Sequence, residues 1–234
     1  MRGYELAKVS ANDCILASLV CGSLLQRSLP GITPLLRKSN TALSKGQYHR
    51  LVTPLFLHGG AAHLAMNAFA LSNVGPECER WFGRGRLVCF FLVSGAGGNL
   101  ASWALSPHPA VGASGAVFGL LGAWGVFLHE NRRVLGRASV EAGLGALGRT
   151  VAANAALALA GGGQIDHAAH LGGLVVGAAC GVAAGPRLRV AARRGELVLV
   201  DLARCQDAAG AAAHHAGRLL RRATATPRGR REVA

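Results

Sequence analysis

Six runs with almost no formal charge alternate with polar connections along the 234 residues. They lie at about 14–29, between Arg50 and Glu77, at 87–105 (LVCFFLVSGAGGNLASWAL), at 109–128 (opening PAVGASGAVFGLLGAW), between Arg149 and Asp166, and at 170–186. Apolar residues cover every face of these runs rather than a single stripe, unlike the half-buried helices of a soluble domain. About 20 apolar residues take a helix across a bilayer. The pattern therefore predicts an all-α membrane protein of six transmembrane helices, the first of them the weakest. The order along the chain is a polar segment over 1–10, a membrane domain over 11–186 and a basic tail over 187–234.

Composition agrees. Hydrophobic residues make up 51% and charged residues only 15%, against about a quarter charged in soluble domains. The 33 glycines suit helices that approach closely in lipid. The six cysteines form no C-x-x-C pair and sit mostly in or beside apolar runs, so they predict small apolar fillers rather than a disulfide framework or a zinc site. The start, MRGYELAKVS, is polar and does not resemble a cleavable signal.

Charge placement sets an orientation. Arg80, Arg84 and Arg86 separate runs two and three; Arg132, Arg133, Arg137 and Arg149 separate four and five. The connections SPHPAVGA and GGGQID carry no Lys or Arg. Beyond Pro186, eleven Arg against Glu196, Asp201, Asp207 and Glu232 leave +7, half of the chain's +14. By the positive-inside rule the basic connections and the tail face the cytoplasm or its equivalent. In the tail, contact with anionic lipid is a better expectation than nucleic acid. The connection between runs one and two breaks the rule, with Arg37, Lys38, Lys45 and Arg50; at about 30 residues it predicts a structured loop.

This orientation runs spans two, four and six from outside to inside. His63 lies 14 residues before Glu77, Ser114 15 before His129, and His170 17 before Arg187. These intervals correspond to about 21, 23 and 26 Å of helix, within a hydrocarbon core of about 30 Å. The three polar side chains thus share one depth, several Å below the outer surface, where polar groups are costly and usually functional. Gly115, Gly119 and Gly122 on span four face the prospect of Gly173, Gly177 and Gly181 on span six, and such small-residue stripes bring helices together.

Placed at the tops of two such helices, Ser114 and His170 make a nucleophile and its base. His63 and Asn67, four apart on one helix face, can donate to the oxyanion of a tetrahedral intermediate, with the Ser114 backbone N–H. Gly112 and Gly115 let the chain bend and a substrate approach. The plainer readings are a packing serine, a structural His170, a His63–Asn67 pair that bridges helices, and a structural His58. Asp166, one turn before His170, reads as a helix cap rather than a third catalytic member. Asn99 and Asn154 read as interhelical hydrogen-bonders, and His167, His214 and His215 as solvent-facing. A metal site is not expected, because no H-E-x-x-H or H-x-x-E-H pattern occurs. A soluble α/β hydrolase would need Gly where Ala116 stands.

HGGAAHLAMN (58–67), GASG (112–115) and AHLGGLVVG (169–177) resemble the rhomboid intramembrane serine proteases in order and in span placement. LVTPLFLHGG and NVGPECERWFG are similar to bacterial and plastid-type members, so a bacterial inner membrane and a plastid membrane are equally open. The resemblance covers roughly residues 10 to 186. It implies a six-helix rhomboid-like bundle with a Ser114–His170 dyad, an oxyanion site at His63 and Asn67, and an aromatic ring, Phe118, against the histidine. It also implies no cofactor, and a transmembrane helix of another membrane protein as substrate. A catalytically silent member that binds transmembrane helices is the alternative. The family's Trp-Arg in the first loop appears here as His49-Arg50, which bears on loop packing.

Overall fold

The computed structural model describes residues 9–160, 165–193 and 196–201. The chain divides into two compact units, Met1–Pro186 and Arg187–Ala234. The first is helical: α1 (Ala11–Ser28), α2 (Ile32–Leu36), α3 (Asn40–Ser44), 3-10 turns at Tyr48–Leu51 and Thr53–Phe56, α4 (Ala61–Phe82), α5 (Arg84–Leu105), α6 (Ser114–Glu130), α7 (Arg132–Leu135), α8 (Arg137–Ala160) and α9 (His167–Ala184). Among the described residues, α5 and α9 are the two helices both long and apolar enough to cross a membrane. Helix α6 has only 17 residues, and α4 carries Glu77, Glu79 and Arg80 near its end.

Local chemistry explains the ends. Ser10 caps α1 by accepting from Asp13 N. The Glu79 carboxylate, near the end of α4, accepts from Ala11 N and Asn12 N at 2.9 Å and from Ser10 Oγ at 2.7 Å. A carboxylate there satisfies orphan N–H groups and meets the positive end of the α1 dipole, which clamps α1 to α4. The reversal from α4 to α5 is a single residue, Gly83, at φ 81°, a conformation that favours glycine.

The glycine stripes form a seam between α6 and α9. A Cβ added at Gly173 would stand 2.0 Å from Gly115 O, one at Gly177 1.9 Å from Gly119 O, and one at Gly122 2.3 Å from Leu174 O. Backbone touches backbone, so no side chain larger than hydrogen fits. Helix α5 packs on the adjoining face of α9: a Cβ at Gly98 would meet Ala169 O at 2.6 Å. The core around the seam is apolar, with Leu120, Ala116, Ala123, Phe90 and Phe91 buried.

Three expectations change. The fifth helix begins at Arg137, well before Arg149. Short side chains and good helix formers carry the helix through RASVEAGLGALGRT, so Arg149 lies inside α8 rather than in a connection. Residues 188–193 and 196–201, in the second unit, are not helical and depart from an all-α chain: β1 (Leu188–Arg193) and β2 (Glu196–Asp201) pair antiparallel, from Leu188↔Asp201 to Arg193↔Glu196. The cause is the short apolar run LVLV over 197–200, half of it β-branched valine, which favours strand. Finally, the first connection is structured, and two of its four cations are not surface charges. Lys38 is fully buried and Arg50 nearly so.

Arg50 donates through Nη1 to Pro34 O at 2.8 Å and to Arg37 O at 2.9 Å, and through Nε to Gln47 Oε1. Arg50 thus ties the first loop together beside His49. Lys38 Nζ donates to Ser102 O and Ser106 O at 3.0 Å and to His108 O at 2.9 Å. These are carbonyls at and beyond the C-terminal turn of α5, where intrahelical donors run out. A buried ammonium among them also opposes the negative end of the helix dipole. Burial lowers the Lys38 pKa, and the nearby Asp166 carboxylate works against that shift.

Candidate active site

Helices α4, α6 and α9 present His63, Ser114 and His170 in their first turns. Ser114 Oγ lies 2.8 Å from His170 Nε2. Phe118, one turn along α6, stacks on the His170 ring with centroids 4.4 Å apart and planes 9° from parallel. That stack fixes the imidazole plane while Ser114 fixes its tilt. The glycine seam is what allows this contact: with Gly173 against Gly115, the two helix axes are too close for intervening side chains.

Asp166 caps α9, its Oδ1 accepting from Ala169 N at 2.9 Å. Its Oδ2 accepts from Ser102 Oγ on α5. Both oxygens are thus committed to holding the start of α9, and the His170 ring receives its orientation from Phe118 and Ser114 instead. His167 stands edge-on to His170 at 6.4 Å.

His63 completes the opposite wall. Gly59 N donates to His63 Nδ1 at 3.3 Å, so the tautomer assigned by that bond carries its proton on Nε2. Nε2 faces Gly112: a Cβ there would fall 2.7 Å from it, and Gly112 holds φ +130°. Both facts require glycine. The Gly112 N–H donates to Pro54 O at 2.9 Å, which pins the segment leading to Ser114 under the first loop. Asn67 is buried and spends one amide hydrogen on His63 O at 2.9 Å. His58 is buried beside His63, their rings edge-on at 5.3 Å, with Nδ1 3.2 Å from Ser23 Oγ.

The structure therefore gathers Ser114, His170, Phe118, His63, Asn67, Gly112, Gly115 and Gly173 at one end of the bundle. Asn99 does not bridge two helices: its Nδ2 donates to Leu51 O at 2.8 Å, tying α5 to the loop. The side chain of Asn154, together with His214 and His215, lies outside the described residues. Among the described residues no group of three His, Cys, Asp or Glu side chains is placed to hold a metal. Reading the sequence missed Lys38, Arg50 and Ser102. Each acts on a carbonyl or carboxylate distant in sequence, which no local pattern announces.

Comparison with known proteins gives the same frame. The Rhomboid domain profile matches residues 45–187. The chain is 38% identical over 143 residues to Rhomboid protease GluP of Bacillus subtilis (strain 168), covering 60% of this chain and 27% of that protein. It is 36% identical over 98 residues to RHOMBOID-like protein 9, chloroplastic, of Arabidopsis thaliana, covering 42% and 23%. It is 38% identical over 129 residues to RHOMBOID-like protein 6, mitochondrial, of the same plant, covering 55% and 41%. The chain thus spans less than half the length of each of these relatives. With a matched domain over more than half of its residues, and apolar helices fit to lie in a membrane, the chain belongs to the rhomboid family.

Proposed function

We propose that this protein is an intramembrane serine endopeptidase that hydrolyses a peptide bond in or next to a transmembrane segment of another membrane protein. Ser114 is the nucleophile and His170 the general base. The single observation that carries the reading is the 2.8 Å contact between Ser114 Oγ and His170 Nε2 at the end of the bundle. A helix-binding protein without chemistry has no use for that pair, nor for an aromatic ring that fixes the imidazole plane.

The reaction follows from the placement. His170 Nε2 accepts the Ser114 proton as Oγ attacks the scissile carbonyl. The oxyanion forms at the start of α6, where the Ser114 N–H has no intrahelical acceptor and the helix dipole is positive. His63 Nε2–H and the second amide hydrogen of Asn67 donate to the same oxygen. His170 then returns the proton to the leaving amine. Water, activated by the same imidazole, releases the acyl group from Ser114. Gly112 leaves the approach to Oγ open, and Gly115 and Gly173 hold the two helices in register.

In this reading α1, α4, α5, α6, α8 and α9 are six spans. The arginine-bearing ends of α4 and α6 and the segment after Pro186 face the cytoplasm or its equivalent, and the site opens to the other side. A substrate helix must unwind locally to expose a peptide bond, which favours small or helix-breaking residues near the cut. The direct test is cleavage of a transmembrane reporter in proteoliposomes. Wild-type protein is expected to cleave it. Ser114→Ala and His170→Ala are expected to abolish cleavage while keeping the wild-type melting temperature. Turnover by either folded variant would overturn the assignment.

A further inference from the structure

On the side of α6 away from α9 the helices do not close on one another. Helices α4, α6 and α8 surround a cavity of ≈ 670 Å³, within the range of about 300–1,000 Å³ usual for ligand sites. Its inner walls are aromatic and aliphatic, with Trp81, Trp124 and Phe127 among them. Three charged side chains line it as well: Arg80 and Glu77 from α4, and Arg149 from α8.

Arg149 is the anomaly. It stands 12 residues into α8, and no formal charge follows it in that helix. It is exposed and makes no hydrogen bond or ion pair with the described residues. Two ion pairs of the first unit, Arg84 with Glu79 and Arg137 with Glu141, do not involve it. Arg80 places its guanidinium over the Trp81 ring at 5.5 Å, a contact that leaves its N–H donors directed elsewhere. An arginine within a spanning helix is costly and is normally paired or functional. Against Glu77, the two arginines leave the cavity one positive charge in excess.

We infer that this cavity binds one anionic phospholipid from the leaflet on the arginine-rich side. Its phosphate lies between Arg80 and Arg149, and an acyl chain lies along Trp124 and Phe127. The chemistry selects this occupant. Basic pockets between transmembrane helices on the cytoplasmic side take anionic headgroups, and an apolar wall continuous with such a pocket requires an apolar chain. Arg80 lies near the end of α4 that leads into Arg84 and Arg86, which places the headgroup at the basic surface. The lipid bridges α4 and α8. The inference rests on membrane embedding and not on the proposed chemistry at Ser114.

Native mass spectrometry of the full chain tests it. The protein is released from micelles holding equal amounts of phosphatidylglycerol and phosphatidylcholine with identical acyl chains. Wild type is expected to retain a single phosphatidylglycerol in preference to phosphatidylcholine. Arg80→Gln and Arg149→Gln should each weaken that preference about fivefold, and the double variant should lose it. Arg149→Lys should keep most of it. Ala146→Trp, which fills the cavity and leaves both arginines in place, should expel the lipid. Circular dichroism and gel filtration establish that each variant is folded. Equal retention of the two lipids by wild type would overturn the inference. So would an unchanged preference in the folded double variant or in Ala146→Trp, since the lipid would then be held at another surface.

Discussion

The two faces of α6 are built in opposite ways. Toward α9 the backbones meet, and a Cβ at Gly177 would land 1.9 Å from Gly119 O. Toward α4 and α8 the helices stand apart around ≈ 670 Å³ of space. Glycine crowds the first face, whereas large side chains, Trp124 and Phe127 among them, line the second. The difference lies in what each face must do. The seam holds a hydroxyl and an imidazole at hydrogen-bond distance, and a shift of 1 Å would end that contact. The open face holds no reacting pair, and the proposal above places a lipid there.

One substitution made in the seam and on an exposed helix surface sharpens the contrast. Gly177→Ala must force main chain from main chain, and we expect a loss of about 3 kcal/mol of stability, read as a fall in melting temperature in detergent. The reporter cleavage proposed above should be lost with it. Gly148→Ala adds a methyl to open space in a helix and should be neutral or stabilising by up to ~1 kcal/mol. Equal effects at the two sites would mean that the seam is not the tighter site.

The seam also depends on the loop above it. Lys38→Met keeps the buried stem but removes the donor to Ser102 O, Ser106 O and His108 O. Ser102 O keeps the Ser106 N–H and Ser106 O keeps Asn40 Nδ2, so the loss falls mainly on His108 O and should cost about 2 kcal/mol, less than Gly177→Ala. Because Ser102 also binds Asp166, the cap of α9, reporter cleavage should fall further than in a surface Lys45→Met control. Equal melting temperatures for Lys38→Met and wild type would show that the ammonium is dispensable.

A smaller effect concerns pH. Burial, and then the neighbouring His63, push the His58 imidazole from its ordinary 6.5 down to about 4. Between those values the unfolded chain binds a proton that the folded chain does not, so stability falls as the solution is acidified. The full shift corresponds to on the order of 3 kcal/mol, and only part of it is reached by pH 5. Melting temperature should therefore decline from pH 7 to pH 5 in wild type and less steeply in His58→Gln. Identical slopes would remove His58 as the source.

Much of this contrast was legible in the sequence, and for an identifiable reason. The period of the small residues in α6 and α9 is local, and it carries the consequence that Ser114 and His170 meet. The parity of the even spans was likewise carried by charges flanking each run. What stayed hidden depends on contacts between distant segments. Lys38 and Arg50 look like loop cations until their carbonyl partners are known. Arg149 looks like the end of a connection until α8 is seen to start at Arg137. The paired strands at 188–193 and 196–201 were carried by a short valine-rich apolar run overshadowed by the arginines around it. Local patterns thus predicted where helices run and which faces touch, whereas burial of charge was settled by tertiary packing.

The central claim is that His170 activates Ser114, and the most direct measurement is covalent labelling. Purified protein in detergent is treated with a fluorophosphonate, and the modified residue is mapped by mass spectrometry. The account predicts a single adduct on Ser114 that is lost in His170→Ala, although Ser114 is still present and the protein still folded. An adduct at another serine, or undiminished labelling of Ser114 without His170, would contradict it.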